Sequence, residues 1–256
     1  MSAKVRLDKL LVERGLVSSR ERAHALVLAG KVLVNEQKAE KAGTLVDPAA
    51  DIRILGEDLK YVSRGGVKLE RALEHWHIDV RGRVCMDVGA STGGFTDCLL
   101  QHGASRVIAI DTGYGQIAHR LRQDRRVRLL ERTNARYLKP EDIGEPVDLV
   151  AVDVSFISAT LVLPAVVRAA RGGARRRLDL VVLVKPQFEA GREAVGKGGI
   201  VRDAQAQSEA VEKVRRAVLE LGAAQPDSID SPILGAEGNR EFLLHAVVED
   251  YPSPIR

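Results

Sequence analysis

Apolar residues at the start of the chain recur at helical spacing and predict a small unit of two helices and short strands. Between Leu7 and Val12 they follow a helical pattern, and Gly15 ends that helix. Ser18 with Glu21 three residues later is a capping-box signature for a second helix, which is predicted to stop at Gly30. Two further runs have the composition of strands, residues 31–35 and 51–55. A block of about 58 residues buries little surface, so we expect a binding module rather than an enzyme.

From residue 83 onward, apolar runs of strand length alternate with helical segments. The runs cover residues 83–88, 106–110, 127–130, 147–152 and 178–184. Because each run is almost continuously apolar, we expect strands that are buried on both faces of a parallel sheet. A last strand is predicted over residues 241–248. The second block is therefore predicted to be an α/β domain.

Composition narrows the class of protein without identifying it. With 256 residues, of which 45% are hydrophobic, the chain has room for one medium domain and one small one. A formal charge of +4 is only a mild tilt toward polyanionic partners. Cys85 and Cys98 form no CxxC pair, which favours a reducing compartment. The N-terminus lacks the apolar region of a secretory signal and no run reaches the ~18 apolar residues of a membrane span, so we expect a soluble, cytoplasmic protein.

The glycine-rich segment from Cys85 to Phe95, CMDVGASTGGF, is the first candidate for a ligand site. The strand before it ends in Asp87, and glycines in such a turn let the backbone approach a ligand closely. Its GxxxGG spacing does not match the GxGxxG of dinucleotide sites, although a plain tight turn would also explain it. Asp111 closes the next strand, where an acid can hold the hydroxyls of a ribose. S-adenosylmethionine has a ribose but no pyrophosphate, so it fits this combination better than NAD does.

Four charged residues stand where a buried core would not place them. Lys68 lies close to two glycines before the second block, and the others lie at the ends of predicted strands: Asp153, Lys185 and Glu241. The strands of one sheet can bring these side chains together over the glycine-rich segment. Lys185 directly follows the apolar run LVVLV, so we expect partial desolvation, which favours the neutral form that can act as a base. Taken singly, each of the four could instead be a surface charge or an ion-pair partner.

Taken together, the four residues resemble the Lys-Asp-Lys-Glu tetrad of the 2′-O-ribose methyltransferases related to FtsJ. The segments SRGG.KL, DVGASTGGFTD, DVSFIS, VKPQFE and GN.EF follow in the order typical of the TlyA family, and the chain is identified as a member of that family. The N-terminal segment RLDKLLVERGLVSSRERAHALVLAGKVLVNEQ resembles the RNA-binding domain of ribosomal small-subunit protein four. The resemblance covers nearly the whole chain.

The resemblance implies a fold and an activity. The fold is α/β, a Rossmann-like class I methyltransferase sheet that is mostly parallel with an antiparallel last strand, preceded by a small α+β RNA-binding domain. The implied domains are residues 1–58 and 64–256, with a linker at 59–63. Family members can carry an Arg-x-Trp-Val type tetrapeptide in the linker, and this chain departs from it with LKYV at 59–62. The implied enzyme transfers methyl from S-adenosylmethionine to cytidine 2′-hydroxyls in small- and large-subunit ribosomal RNA.

The resemblance also implies site residues, position by position. Lys185 would activate the 2′-hydroxyl, with Lys68 as an assisting cation and with Asp153 and Glu241 as orienting groups. The implied cofactor residues are Asp87, Gly89, Ala90, Ser91, Gly93, Gly94, Phe95, Asp111 and Asn134. The residues implied to lie near RNA phosphates are Arg6, Lys9, Ser19, Arg20, Arg22 and Lys31. No metal is implied.

Two alternatives from other classes stand beside the enzyme. One is an RNA-binding accessory protein that kept the fold and lost catalysis, which the intact tetrad and glycine-rich segment disfavour. The other is a membrane-active haemolysin, after the older name of the family, which the lack of a spanning run disfavours. A metal site at His75 and His77 is disfavoured because alternate residues of a helix point apart, so we interpret them, with Trp76, as a helix end packing on the sheet.

Overall fold

The chain forms two compact units, Met1–Leu59 and Lys60–Arg256. A computed structural model describes residues 4–17, 19–55, 60–172 and 177–249. Within the segment predicted to be a linker, Tyr61 is 1% exposed and packs in the apolar core of the second unit. The domain limits inferred from the sequence, 1–58 and 64–256 with a linker at 59–63, stay a prediction.

The first unit contains two helices and short antiparallel strands. Its elements are β1 (Val5–Arg6), α1 (Leu7–Glu13), α2 (Arg20–Leu28), β2 (Val32–Val34), β3 (Gln37–Lys38), β4 (Leu45–Val46) and β5 (Ile52–Ile54). β1 pairs with β4, and β2 lies between β3 and β5. Both predicted helices and both predicted strands are present. β1, β3 and β4 have two residues each, too few to show the alternation that identifies a strand in a sequence.

The start of α2 differs from the sequence prediction. Ser19 precedes the helix in an extended conformation, and its hydroxyl accepts a hydrogen bond from the backbone N–H of Arg22 at 3.2 Å. Ser19 therefore caps the helix. The predicted capping box of Ser18 and Glu21 falls on a residue and a side chain outside the described part of the structure.

The second unit is built on a seven-stranded sheet with the order β11-β12-β10-β9-β6-β7-β8. Its strands are β6 (Val84–Val88), β7 (Arg106–Ile110), β8 (Val127–Leu130), β9 (Leu149–Val152), β10 (Leu178–Val184), β11 (Ala223–Asp230) and β12 (Phe242–Val248). Neighbouring strands from β10 through β9, β6 and β7 to β8 are parallel. β12 is antiparallel to both β10 and β11. The predicted mostly parallel sheet with an antiparallel last strand is confirmed.

Helices cover both faces of this sheet. They are α3 (Gly65–His75), α4 (Gly94–Gln101), α5 (His119–Arg122), α6 (Pro140–Ile143), α7 (Leu163–Arg171), α8 (Pro186–Glu189) and α9 (Ala204–Glu220). Consecutive strand residues point to opposite faces, so Cys85 and Met86 belong to different apolar clusters, as do Val181 and Val182. This two-sided burial explains why the strands are almost continuously apolar in the sequence.

The edge strand β11 is not predicted by the sequence. Its sequence, AAQPDSID, is polar and contains Pro226, and its register against β12 is interrupted between Ala224 and Asp227. An edge strand need not be apolar on both faces, and an edge is where proline is tolerated in a sheet. Neither property produces an apolar run.

The end of α3 packs on the sheet, as the sequence predicts. Trp76 follows the helix, its ring centroid lies 5.2 Å from that of His245 on β12, and its Nε1 donates a hydrogen bond to Asp227 at 2.9 Å.

Cys85 and Cys98 are buried free thiols. Within the described ranges, no helix has both the length and the apolar character needed to cross a membrane.

Candidate active site

Four charged side chains meet at one edge of the large sheet. Asp153 follows β9 and Lys185 follows β10, so both lie at the carboxyl ends of parallel strands. Glu241 immediately precedes β12, and because β12 is antiparallel its beginning lies at that same edge, where Phe242 pairs with Val184. Lys68 reaches the edge from α3. The structure thus brings together the four residues that the sequence analysis singled out.

The four side chains form two ion pairs. Lys68 Nζ lies 2.5 Å from Glu241 Oε2, and Lys185 Nζ lies 2.6 Å from Asp153 Oδ1. The second pair is an ion pair by distance rather than a directed hydrogen bond, and Lys185 donates its hydrogen bond to the hydroxyl of Ser155 at 2.7 Å. The lysine side chains are only 11% and 10% exposed. In such a site the charges are weakly screened by water, which strengthens their effect on a bound group.

The tetrad lines a cavity of about 520 Å³ together with the glycine-rich loop. Gly89 has a φ of +90°, and a Cβ there would overlap the carbonyl oxygen of Asp153. Gly93 has a φ of +95°, and a Cβ there would overlap Leu121. At Gly89, only glycine allows both this backbone conformation and the close approach of the loops after β6 and β9. Of the predicted cofactor residues, this cavity is lined by Gly89, Ala90, Ser91, Gly94 and Phe95.

A second cavity of about 420 Å³ shares the loop residue Ser91 with the first and extends beyond β7. Asp111 lines it, and its two carboxylate oxygens accept hydrogen bonds from the backbone N–H groups of Ser91 at 2.7 Å and Gly113 at 2.6 Å. Each oxygen keeps a lone pair for a further donor. Asn134 also lines this cavity, while its Oδ1 accepts from Arg136 N within a short turn. The two cavities also share Gly89, Asp153, Ser155 and Phe156 and are therefore adjacent.

Asp87 is fully buried beneath the glycine-rich loop. Neither Asp87 nor Gly93 lines either cavity in the described part of the chain. One oxygen of Asp87 accepts hydrogen bonds from the N–H and the hydroxyl of Thr96, at 2.9 and 2.6 Å, and so fixes the start of α4. The other oxygen has no hydrogen-bond partner among the described residues. Burial raises the pKa of Asp87 to about 7, and the nearby negative charge of Asp153 adds to that rise.

This buried carboxyl predicts a pH-dependent stability of the second unit. Its pKa when folded, about 7, exceeds its ordinary value of 3.8, so the folded state binds more protons between these values. The free energy of unfolding should therefore fall as pH rises through 7. Asp87→Asn keeps an acceptor for Thr96 and cannot ionise. Between pH 5 and pH 8.5, we expect wild type to lose about 3 kcal/mol relative to Asp87→Asn.

Urea unfolding followed by the fluorescence of Trp76, the only tryptophan, measures this difference in the second unit. Charges elsewhere in the chain contribute equally to both proteins and cancel in the comparison. Parallel stability curves for the two proteins would show that Asp87 does not titrate in this range.

In the first unit, two of the predicted RNA-contacting arginines share one buried partner. Arg6 and Arg20 lie 2.9 and 2.7 Å from Asp8 Oδ2. The hydrogen bonds from Arg6, with those from Arg20, hold the pKa of Asp8 well below its usual range. The Asp8 side chain is 3% exposed, whereas the arginine side chains are 50% and 57% exposed. Asp8 therefore fixes two guanidinium groups in place and leaves their outer edges open to solvent.

The remaining predicted RNA residues have varied surroundings. Lys9 forms an ion pair with Glu13 at 3.4 Å along α1, and Lys31 is exposed. The hydroxyl of Ser19 is engaged as the helix cap, and Arg22 is half-buried on α2. The six residues are thus not equally available to a ligand.

Sequence reasoning missed several residues of the site. Ser155 and Phe156 stand in DVSFIS, and Gln187 and Glu189 stand in VKPQFE, but only Asp153 and Lys185 were singled out in these two segments. Phe156 is 92% exposed and has a φ of +65°. A large residue in that conformation is unusual and indicates that its surroundings impose it. The exposure and the φ angle cannot be read from a sequence.

Glu189 holds the Phe156 loop in place. Its buried carboxylate accepts hydrogen bonds from Ala159 N at 2.6 Å and from the Ser158 hydroxyl at 2.5 Å. Lys213 on α9 lies 3.3 Å from the same carboxylate. The loop after β9 is thereby tied to α8, the helix that starts directly after Lys185.

The strand order, the antiparallel last strand and the glycine-rich loop after β6 define the Rossmann-like methyltransferase class. Residues 61–247 match the family model described as FtsJ-like methyltransferase, and residues 5–52 match the model described as S4 domain. The chain belongs to the FtsJ-like methyltransferase family.

Similarity to individual proteins indicates which branch of this family the chain resembles. The chain is 47% identical to "Putative rRNA methyltransferase YqxC" of Bacillus subtilis, over 95% of this chain and 86% of that protein. It is 49% identical to the 16S/23S rRNA (cytidine-2′-O)-methyltransferase TlyA of Mycobacterium tuberculosis, over 95% of this chain and 90% of that protein. The solved structure titled "Putative hemolysin from Streptococcus thermophilus" has a TM-score of 0.74 and 42% identity, covering 98% of this chain and 91% of its own. The resemblance to the TlyA family is confirmed.

Proposed function

We propose that this protein transfers a methyl group from S-adenosylmethionine to the 2′-hydroxyl of a cytidine in ribosomal RNA. The observation that carries this proposal is the pair of mostly buried lysine–carboxylate contacts, Lys68–Glu241 and Lys185–Asp153, in the cavity lined by the glycine-rich loop. A ribose hydroxyl is a poor nucleophile at neutral pH and needs a base or a cation that stabilises its developing charge. The relatives named as rRNA methyltransferases support the same reaction.

The residues of the two cavities fit the proposed cofactor. The lone pairs that Asp111 keeps suit the two ribose hydroxyls, and Asn134 lies in the same cavity for the adenine. The cavity beside the glycine-rich loop provides space for the methionine part. When bound, S-adenosylmethionine supplies an electrophilic methyl group. Asp87 is proposed to act beneath this site, by fixing the loop and α4 rather than by contact.

Lys185 is the residue proposed to act on the hydroxyl. Its Nζ is oriented by Asp153 and Ser155 and can accept the proton of the 2′-hydroxyl or stabilise the developing negative charge on that oxygen. Lys68 is fixed by Glu241 and keeps a second cation in the same cavity, which can assist by stabilising the negative charge that develops on the oxygen. Alignment of the oxygen with the methyl group then contributes much of the rate.

RNA is proposed to contact both units. In the first, Arg6, Lys9, Arg20, Arg22 and Lys31 would lie near phosphates, with Ser19 contributing through the helix start that it caps. In the second, the exposed ring of Phe156 offers a face on which an unstacked base can lie. A substrate that is part of the ribosome agrees with the cytoplasmic location expected from the sequence.

Transfer of labelled methyl to purified ribosomal subunits tests the proposed function. Three reactions are run, each with the protein and methyl-labelled S-adenosylmethionine. One contains small subunits, one contains large subunits and one contains protein-free ribosomal RNA, all from cells lacking the gene. We expect label in ribosomal RNA, with less transfer at high salt because phosphate contacts weaken. Failure of all three RNA samples to accept label would contradict the proposal.

A further inference from the structure

Gln187 carries a buried hydrogen-bond acceptor that the fold does not use. Its Oε1 is inaccessible to solvent and has no hydrogen-bond partner among the described residues. Buried polar atoms of folded proteins nearly always have a partner, so such an atom requires an explanation. Gln187 lines the cavity that contains the tetrad. A partner that arrives with the substrate would satisfy the atom.

The backbone around Gln187 is held firmly. It lies on α8, two residues after Lys185, and the Phe188 N–H donates to the Lys185 carbonyl at 2.9 Å. The Glu189 carboxylate ties the same helix to the loop that carries Phe156. A side chain on a fixed backbone can discriminate between ligands, because its polar atom cannot move to fit ligands with differently placed hydrogen-bonding groups.

The neighbours of Gln187 suit a nucleobase. The rings of Phe156 and Phe188 lie 5.4 Å apart between centroids, and both line the cavity. Aromatic rings of this kind stack on bases that have left their helix. Lys185, proposed to act on the ribose of the same nucleotide, lies two positions away in the chain. The adenosine part of the cofactor is proposed to bind in the other cavity, which Gln187 does not line in the described part of the chain.

We propose that Oε1 of Gln187 accepts a hydrogen bond from the exocyclic amino group of the target base and so selects cytidine over uridine. Cytosine has an amino donor at position 4, whereas uracil has a carbonyl oxygen there, which would face another acceptor. A site that leaves a buried polar atom unpaired with the wrong base discriminates strongly. This inference rests on the proposed function and specifies how its site recognises the base.

The test combines a changed side chain with a changed base. Gln187→Met has similar size and no acceptor, whereas Gln187→Glu keeps an acceptor at the same place. The substrate is the ribosomal RNA helix that contains the methylated position, synthesised with cytidine, with uridine, or with the riboside of 2-pyrimidinone, which lacks the amino group. For wild type and Gln187→Glu, we expect kcat/KM to fall about tenfold or more when the amino group is absent. For Gln187→Met, the three RNAs should differ by less than about threefold.

Two controls make the result decisive. Gln205→Met changes an exposed glutamine of α9 that pairs with Glu209, and it should behave as wild type. The affinity of Gln187→Met for S-adenosylmethionine, measured by calorimetry, should be unchanged. The inference is overturned if Gln187→Met discriminates between the bases as wild type does, or if it loses cofactor affinity and keeps base preference. No methylation of the cytidine RNA by wild type would instead contradict the proposed function itself.

Discussion

Replacing Lys185 by methionine is expected to abolish detectable methyl transfer while leaving the affinity for S-adenosylmethionine nearly unchanged. The change removes the ammonium group whose Nζ lies 2.6 Å from Asp153 Oδ1, so Asp153 loses its ion-pair partner. Removing a group that exchanges a proton or stabilises an oxyanion costs about 10²- to 10⁴-fold in rate. Methionine has a similar length, so the apolar surroundings of this 10% exposed side chain keep their packing. Single-turnover rates and calorimetric cofactor titration measure the two effects separately.

A matched variant separates loss of catalysis from loss of positive charge. Lys139→Met removes an exposed lysine that lines neither cavity in the described ranges, and its kcat should remain that of wild type. If Lys185→Met turns over at the wild-type rate, the assignment of Lys185 is wrong. If it loses cofactor affinity in proportion to its rate, Lys185 acts in binding and not on the hydroxyl.

The second large effect is expected at Gly89. Alanine there must adopt a φ of +90° and place its Cβ against the carbonyl oxygen of Asp153. The strained conformation alone costs about 1 to 3 kcal/mol. The overlap also forces apart the loops after β6 and β9, which carry the cofactor residues and Asp153. Gly89→Ala should therefore unfold at lower urea concentration and lose about 100-fold or more in cofactor affinity, because the loop geometry is lost.

Gly82 provides a control for the strain. Its φ is +71°, and a Cβ there meets nothing within 4 Å. Gly82→Ala should lose about 1 kcal/mol of stability and keep the wild-type affinity for S-adenosylmethionine. Wild-type cofactor affinity in Gly89→Ala would contradict the role given to the loop, and equal affinity losses in both variants would assign the effect to general destabilisation.

The sequence predicted the features that depend on apolar periodicity and on strand order. The strands β6, β7, β9 and β10 are buried on both faces, so each appears as a nearly continuous apolar run. Asp153, Lys185 and Glu241 flank such runs, so the sheet alone brings them to one edge. The polar edge strand β11 produces no such run and was missed.

Features that depend on tertiary contacts were not predictable. The sequence assigned four roles to the tetrad but does not contain its pairing, which follows from where α3 crosses the sheet and brings Lys68 to Glu241. The family resemblance also implied Asp87 as a cofactor residue, and that assignment stays a prediction. In the structure this carboxylate points below the loop to Thr96. The direction in which a side chain points at the end of a strand depends on how the strand pairs with its neighbours. A glycine-rich turn has no apolar pattern from which that pairing could be predicted.

The chemical position of the transferred methyl group tests the central claim most directly. Ribosomal RNA methylated by this protein with labelled S-adenosylmethionine is digested to nucleosides, which are separated and identified by mass spectrometry. If the protein methylates the 2′-hydroxyl of cytidine, the label is carried by 2′-O-methylcytidine, and the same RNA with 2′-deoxycytidine at the target position accepts none. Label on a methylated base, or transfer to the 2′-deoxy substrate at the normal rate, would contradict that claim.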